Sequence, residues 1–200
     1  MTPELFLALV GFAFITVITP GPNNLMLMAS GANFGFRRTV PHMLGIGLGF
    51  PSMIFLVGLG IMQIFDMWEP SYTILKGLSV IYLLYLAWKI ANAAPPENAQ
   101  SKGSPLTFLQ AAAFQWVNPK AWSMALSAIT LYATSRDLQA ILWVSGAYVA
   151  MSTVSTTSWT TLGQQMRRFL NSPTRLRVFN IVMATLLVAT LIPVLWPAQI

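Results

Sequence analysis

Two short stretches of the chain combine residue types that could hold a small charged solute. They are Pro20-Gly21-Pro22-Asn23-Asn24, within VITPGPNNLMLM, and Asn118-Pro119-Lys120, within FQWVNPKAWSMAL. Both interrupt long apolar runs. A proline there removes a backbone donor and crowds the preceding turn, so nearby carbonyls lose their helical partners. In lipid such groups persist only where they line a protein cavity or a wet one. The helix that restarts after the break offers free N–H groups and a positive dipole end, which suit a carboxylate. Asn23 and Asn24 carry both donors and acceptors, as an amino-acid backbone requires. Lys120 adds an ammonium able to meet a carboxylate or to exchange a proton.

These groups must be positioned by apolar elements. The chain has 200 residues, 56% hydrophobic and only 8% charged, against about 25% charged in soluble domains. Six apolar segments near the ~20 residues that cross a bilayer are predicted at Leu5–Ala29, Val40–Gln63, Tyr72–Ala91, Leu106–Ala133, Leu138–Leu162 and Val178–Trp196. A soluble bundle would show a charged helix face, and Val40–Gln63 and Val178–Trp196, for example, contain no fixed charge. The first span lacks the basic start and the clean cleavage site of a secretory signal. The fold class expected is all-α and polytopic: one transporter domain over 1–200, with repeats at 1–91 and 105–200 around a polar loop at 92–104.

The repeat is an inference from spacing. Pro20 and Pro119 lie about half the chain apart, each in the first span of a three-span unit. An odd number of spans makes the second unit enter the membrane in the opposite direction. Matched proline breaks in two halves point to the centre of an inverted-repeat transporter, with spans one and four broken. One such break would be an ordinary kink as readily as a site. Two, each beside an asparagine, favour a site.

Lys and Arg set the orientation. The loops after spans one, three and five hold Arg37 and Arg38, then Lys102 beside Lys89, then Arg167, Arg168, Arg175 and Arg177. The other loops offer Asp66, Glu69 and a single Arg136. Odd loops are therefore predicted in the cytoplasm and both termini outside. This topology accounts for the net charge of +6 without nucleic acid.

The stretch TPGPNNLMLMASGANFGFRR, followed by Gly45, Gly47 and Gly49, resembles the LysE/RhtB family of bacterial amino-acid exporters. NPKAW and the LYLAWKIA end of span three extend the resemblance over essentially the whole chain. TPGPNN is most similar to the branch containing a cysteine and O-acetylserine exporter. The resemblance implies a multi-pass protein of the bacterial inner membrane. It implies export of small neutral amino acids or derivatives, of the cysteine/O-acetylserine or homoserine/threonine kind, driven by protons. Many family members have aspartate where Asn23 stands, and asparagine cannot carry the proton.

Other residues admit two readings each. Lys120 lies about 14 residues, roughly 21 Å at ~1.5 Å per residue, into span four. An intramembrane lysine marks function by default, or it snorkels to an interface. No carboxylate lies centrally in a span, since Glu4, Asp66, Glu69, Glu97 and Asp137 sit at ends or in loops. Proton coupling would then fall to His42 or Lys120, although a histidine at a span's start is more often a packing residue. Gly45, Gly47 and Gly49 bring span two close to a neighbour or border the substrate path, and Pro51 is expected to kink that helix. In MSTVSTTSWTTLG (151–163) the hydroxyls surround the helix, so most are expected to bond their own backbone, while any that face the bundle would line a polar path that the sequence does not single out. Trp68 and Trp196 fit interfacial anchors, and Met26 and Met28 fit core filling.

With no cysteine, one histidine and five acids, a metal centre, a disulfide or a hydrolytic triad is hard to assemble, and no cofactor is implied. An intramembrane enzyme lacks its nucleophile–base pair. A membrane assembly protein has no need of matched polar breaks. A P-loop is absent. The partners expected are an amino-acid substrate and the lipid bilayer; whether the chain forms a homodimer stays open. A reporter fused at Gly103 or Ser172 should report cytoplasm, and one fused after Ile200 should report the outside. A cytoplasmic C-terminal reporter would overturn this orientation.

Overall fold

The computed structural model describes residues 1–61, 63, 67, 68, 70–93, 104–133 and 137–195. Asp66, Glu69, Glu97, Lys102, Gly103, Arg136, Trp196 and Ile200, with most of the expected 92–104 loop, lie outside them. All regular structure among the described residues is helical.

Helix α1 (Pro3–Ile18) starts at Thr2, whose hydroxyl accepts from the Leu5 N–H, with Pro3 in the first turn, where its missing donor does no harm. It stops because Pro20 and Pro22 have no N–H to give to Thr16 and Ile18. Helix α2 (Pro22–Phe34) restarts at once, bent 58° from α1. Gly35, at φ +81°, ends α2 and leads straight into α3 (Phe36–Gly58); that φ favours glycine. Arg37 and Arg38, expected in a loop, therefore lie in the first turn of α3. The helix runs on through Pro41 and Pro51.

Helix α4 spans Pro70–Ala91. Span four is built in two pieces: α5 (Phe108–Phe114), opened by a Thr107/Gln110 capping box, a 3-10 turn at Gln115–Val117, and α6 (Pro119–Tyr132). Helix α7 (Leu138–Met166) is capped by Asp137, and α8 (Pro173–Ala189) by Ser172. The short α9 (Ile192–Leu195) follows. Arg175 and Arg177 thus belong to α8 rather than to a loop. Helices α3, α4, α7 and the stretch Pro173–Leu195 are each long and apolar enough to cross a membrane, and the bent α1–α2 pair meets the same criteria when its two helices are taken together. Neither piece of span four reaches that length alone. Leu7, Ile15, Ile81 and Leu109 are largely exposed on the helix exteriors, as a lipid-facing surface requires.

Helix α7 is the central element and packs on α1, α2 and α3, while α4 packs on α8 and α3 on α5. Glycine permits the closest of these approaches. A Cβ at Gly163 would strike the Met28 carbonyl, and one at Gly31 the Thr160 carbonyl, so α2 and α7 touch backbone to backbone. A Cβ at Gly45 would strike the Phe108 carbonyl, and one at Gly49 would come 2.7 Å from Ala112 Cα. Buried Gly47 differs: nothing lies within 4 Å of its Cβ position.

Two apolar clusters result. One gathers Leu25, Leu27, Ile46, Leu86, Phe114 and Leu187. The other gathers Leu9, Phe50, Ile54, Ala125, Val144 and Tyr148. Between them runs a polar waist formed by the two helix breaks. Among the described residues, most basic groups and the acids lie at opposite ends of the bundle, with Lys76 of α4 an exception. The Phe36 N–H donates to Gln164 (2.6 Å), and Asn180 donates to Ala93 (3.2 Å). These bonds put Arg37, Arg38, Lys89, Arg167 and Arg175 at one end. Glu4 and Asp137, the acids among the described residues, sit at the other, where Phe6 meets Trp143.

The glycines separate packing from passage. Gly45→Ala and Gly49→Ala should each lower stability by about 1–3 kcal/mol, the usual cost of overpacking. Gly47→Ala should leave stability unchanged or raise it by up to ~1 kcal/mol through helix propensity. Thermal unfolding of the purified protein in micelles measures this. A Gly47→Ala loss as large as that of Gly45→Ala would mean that the space beside Gly47 is filled.

Candidate functional site

The first break leaves a row of main-chain carbonyls that must find donors. Ile15 O accepts from the Thr19 N–H (3.2 Å), and Thr16 O from the Thr19 hydroxyl (3.0 Å). Val17 O accepts from Asn24 Nδ2 (2.7 Å) and Ser155 Oγ (2.8 Å). Ile18 O accepts from Trp159 Nε1 (3.0 Å). Thr19 O accepts from Asn24 Nδ2 (2.8 Å) and Lys120 Nζ (2.7 Å), and Pro20 O from Lys120 Nζ (3.3 Å). Every carbonyl from 15 to 20 is satisfied, largely by side chains of α6 and α7.

Lys120 is therefore neither snorkelled nor idle. It sits in the first turn of α6, where the helix dipole disfavours a cation. Its stem carries the ammonium across to the C-terminal end of α1, where the dipole favours one. The Thr19 hydroxyl accepts a third bond from it at 2.9 Å, so all three ammonium donors are used. Gly21 makes this route possible: a Cβ there would lie 2.7 Å from Lys120 Cδ and 3.1 Å from Nζ. At φ −179° its backbone is plainly extended, so close approach is what selects glycine.

The second break is a helix start of the same kind. Asn118 caps α6, its Oδ1 accepting from the Lys120 N–H at 3.2 Å, and Pro119 is the first helical residue. In the first half Pro22, not Pro20, holds that first position, after Gly21, and α2 has no side-chain cap. The start of α2 therefore keeps its positive end uncapped by any side chain. Asn23 and Gln115 form a reciprocal amide pair across the two breaks, at 2.8 and 3.1 Å, and Gln115 also donates to Ala111 O (2.8 Å).

A cavity of about 20 Å³ lies between the breaks, lined by Gly21, Asn23, Asn24, Asn118, Lys120 and Ser152 among others. That is room for about one water, and an amino acid is several times larger. The site is closed. Thr16, Ser155 and Thr156 also border it. Ser152 Oγ is buried there without a hydrogen-bond partner, which leaves it ready to meet a ligand.

The structure thus brings together Pro20, Gly21, Pro22, Asn23, Asn24, Asn118, Pro119 and Lys120. It sets the remaining candidates apart. Gly45 and Gly49 face α5, and His42 lies in a different cavity beside Lys89. Gln115, Ser152, Ser155 and Trp159 were not singled out by the sequence. A lone glutamine in an apolar run, three residues ahead of Asn118-Pro119, was the available signal for the first. For the hydroxyls, only the facing of α7 distinguishes site from surface.

The family model for the LysE type translocator matches residues 14–191. The cysteine/O-acetylserine efflux protein of Escherichia coli strain K12 is 31% identical over 192 residues, covering 94% of this chain and 96% of that protein. The same-named protein of Shigella sonnei strain Ss046 matches equally, and that of Escherichia coli O1:K1 is 32% identical over 193 residues. No solved structure matches the chain.

The amide pair invites a double-mutant cycle. Gln115→Leu alone should strand the Asn23 amide and cost about 1–3 kcal/mol. Asn23→Leu with Gln115→Leu should cost less than the sum of the two single changes, because neither amide is then left unpaired. Additive losses in thermal unfolding would show that the pair carries no coupling.

Proposed function

As a member of the LysE type translocator family this multi-pass membrane protein is a transporter and not an enzyme, and we propose that it exports small neutral amino acids from the cytoplasm. The observation that carries this reading is the clasp between Lys120 and the Thr19 and Pro20 carbonyls. An ammonium held by carbonyls can exchange both sides of its contact for a zwitterion. The substrate carboxylate takes Lys120 and the uncapped start of α2, and the substrate ammonium takes the released carbonyls. No charge is then left unpaired, which a low-dielectric site would penalise heavily. Ser152 and the Asn23–Gln115 pair meet the side chain or the carboxylate, while Asn24, Pro20, Pro22, Asn118 and Pro119 frame the break.

The relatives named for cysteine and O-acetylserine efflux support a small, polar substrate of that kind. In this reading α1–α2 and α5–α6 are the broken first and fourth of six crossings. They belong to inverted repeats at 1–91 and 105–200, and opening of the closed cavity gives alternating access. The basic end faces the cytoplasm and both termini lie outside, in the inner membrane. Protons drive export, with Lys120 as the intramembrane group able to release one when its carbonyl contacts break.

Counterflow of labelled amino acids in proteoliposomes, with and without a pH gradient, tests the assignment. Cysteine and O-acetylserine should exchange, and a gradient should drive net movement. Failure of every amino acid in an inserted, folded preparation would refute it. Lys120→Met should weaken substrate affinity more than a hundredfold, since losing one partner of a buried charge pair costs about 3–5 kcal/mol. An affinity within about threefold of the parent, under ~1 kcal/mol, would restrict Lys120 to holding the break.

A further inference from the structure

A second cavity, of about 200 Å³, opens at the basic end among α2, α3, α4 and residues 104–106. Its walls are chiefly apolar, with Met26, Phe34, Leu86 and Leu106 among them. Several polar groups on it are already committed. Asn33 donates to Ala29 O (2.8 Å) and exchanges bonds with Asn180 (2.7 and 3.0 Å), and Ser30 pairs with Thr39 (2.9 Å). Two are not. His42 lines the cavity at 1% exposure, and neither ring nitrogen has a hydrogen-bond partner. Lys89 also lines it, half-buried, with no hydrogen bond or ion pair to any described residue.

A buried imidazole with both nitrogens unmet is costly, and buried polar groups are normally paired. Here the unmet ring faces a space large enough for a small molecule. Among the described residues the surrounding charge has one sign. Arg38 stacks over the Phe34 ring at 5.4 Å, and Arg37 and Arg175 lie at the same end, while Glu4 and Asp137 are at the other. The cavity is smaller than drug-sized sites, which begin near ~300 Å³.

We propose that this cavity is a second substrate site, a loading site that holds the carboxylate of the amino acid before it reaches the break. Lys89 supplies the charge, a His42 N–H supplies the directed bond, and the apolar wall accepts the side chain. Its ligand and its cytoplasmic side rest on the export reading above; its geometry does not. Because Lys89 and Lys120 face separate cavities, the two sites bind independently.

The chain has a single histidine, so labelling histidine with 15N gives ring resonances from His42 alone. The protein is placed in phosphatidylcholine nanodiscs and titrated with O-acetyl-L-serine, with counterflow measured on the same purified protein in sealed phosphatidylcholine vesicles. The ring signals should shift saturably, and should do so equally in Lys120→Met. Lys89→Gln, which disturbs no bond to a described residue, should weaken the titration at least tenfold. Still ring signals in a protein that exchanges O-acetylserine would overturn the loading site and leave export standing. Absence of exchange for every amino acid would instead sink the export reading, while the ring titration still decides whether the cavity takes a carboxylate. A titration unchanged in Lys89→Gln would overturn the proposal. So would a shift produced by added phosphatidylglycerol and not by the amino acid, which would assign the cavity to a lipid headgroup.

Discussion

A main-chain carbonyl in hydrocarbon must have a donor, and this requirement organises the molecule around residues 15 to 20. Two prolines remove the N–H groups that Thr16 and Ile18 would have used. The donors that replace them come from the Thr19 hydroxyl and the Trp159 indole. Asn24, Ser155 and Lys120 supply the rest from α2, α7 and α6. The break is thus a junction where four helices are tied together by hydrogen bonds, several of them charge-assisted and so roughly twice as strong as neutral ones.

The same requirement explains why the apolar interior is divided. Polar side chains gathered at mid-depth split the packing into two clusters, one towards each end. Apolar packing resists continuous deformation. A polar layer whose bonds can be exchanged for those of a solute is a natural plane for movement between two packed bodies. Closure of the central cavity to about the size of one water is what such a layer shows when nothing occupies it.

Much of this was legible in the residues. Pro-Gly-Pro and Asn-Pro foretold two broken spans, because proline acts locally and leaves no choice to tertiary context. The lysine after the second break was legible as a charge within an apolar span. Its partner was not, since a carbonyl on another helix has no sequence signature. The same blindness hid Gln115 and Ser152, whose roles depend on which way a helix face turns. Arg37 and Arg38 moved from loop to helix because Gly35, in a left-handed conformation, joins α2 to α3 without a spacer. Gly47 was grouped with Gly45 and Gly49 by spacing, yet only the latter two meet backbone or Cβ atoms of α5.

The contact of α2 with α7 at Gly31 and Gly163 has a consequence for how the chain is made. Synthesis delivers α1 and α2 first, yet Ser155 and Trp159, which seal the break, and the groove that receives Gly31 belong to α7. Until the ribosome has passed residue 163, the nascent first half holds open carbonyls and a helix face with no seat. Water or the insertion machinery must serve those carbonyls in the interval. Sealing of the break is then a late step in the making of this protein, taken when α7 arrives and closes a wound left open by the first hairpin.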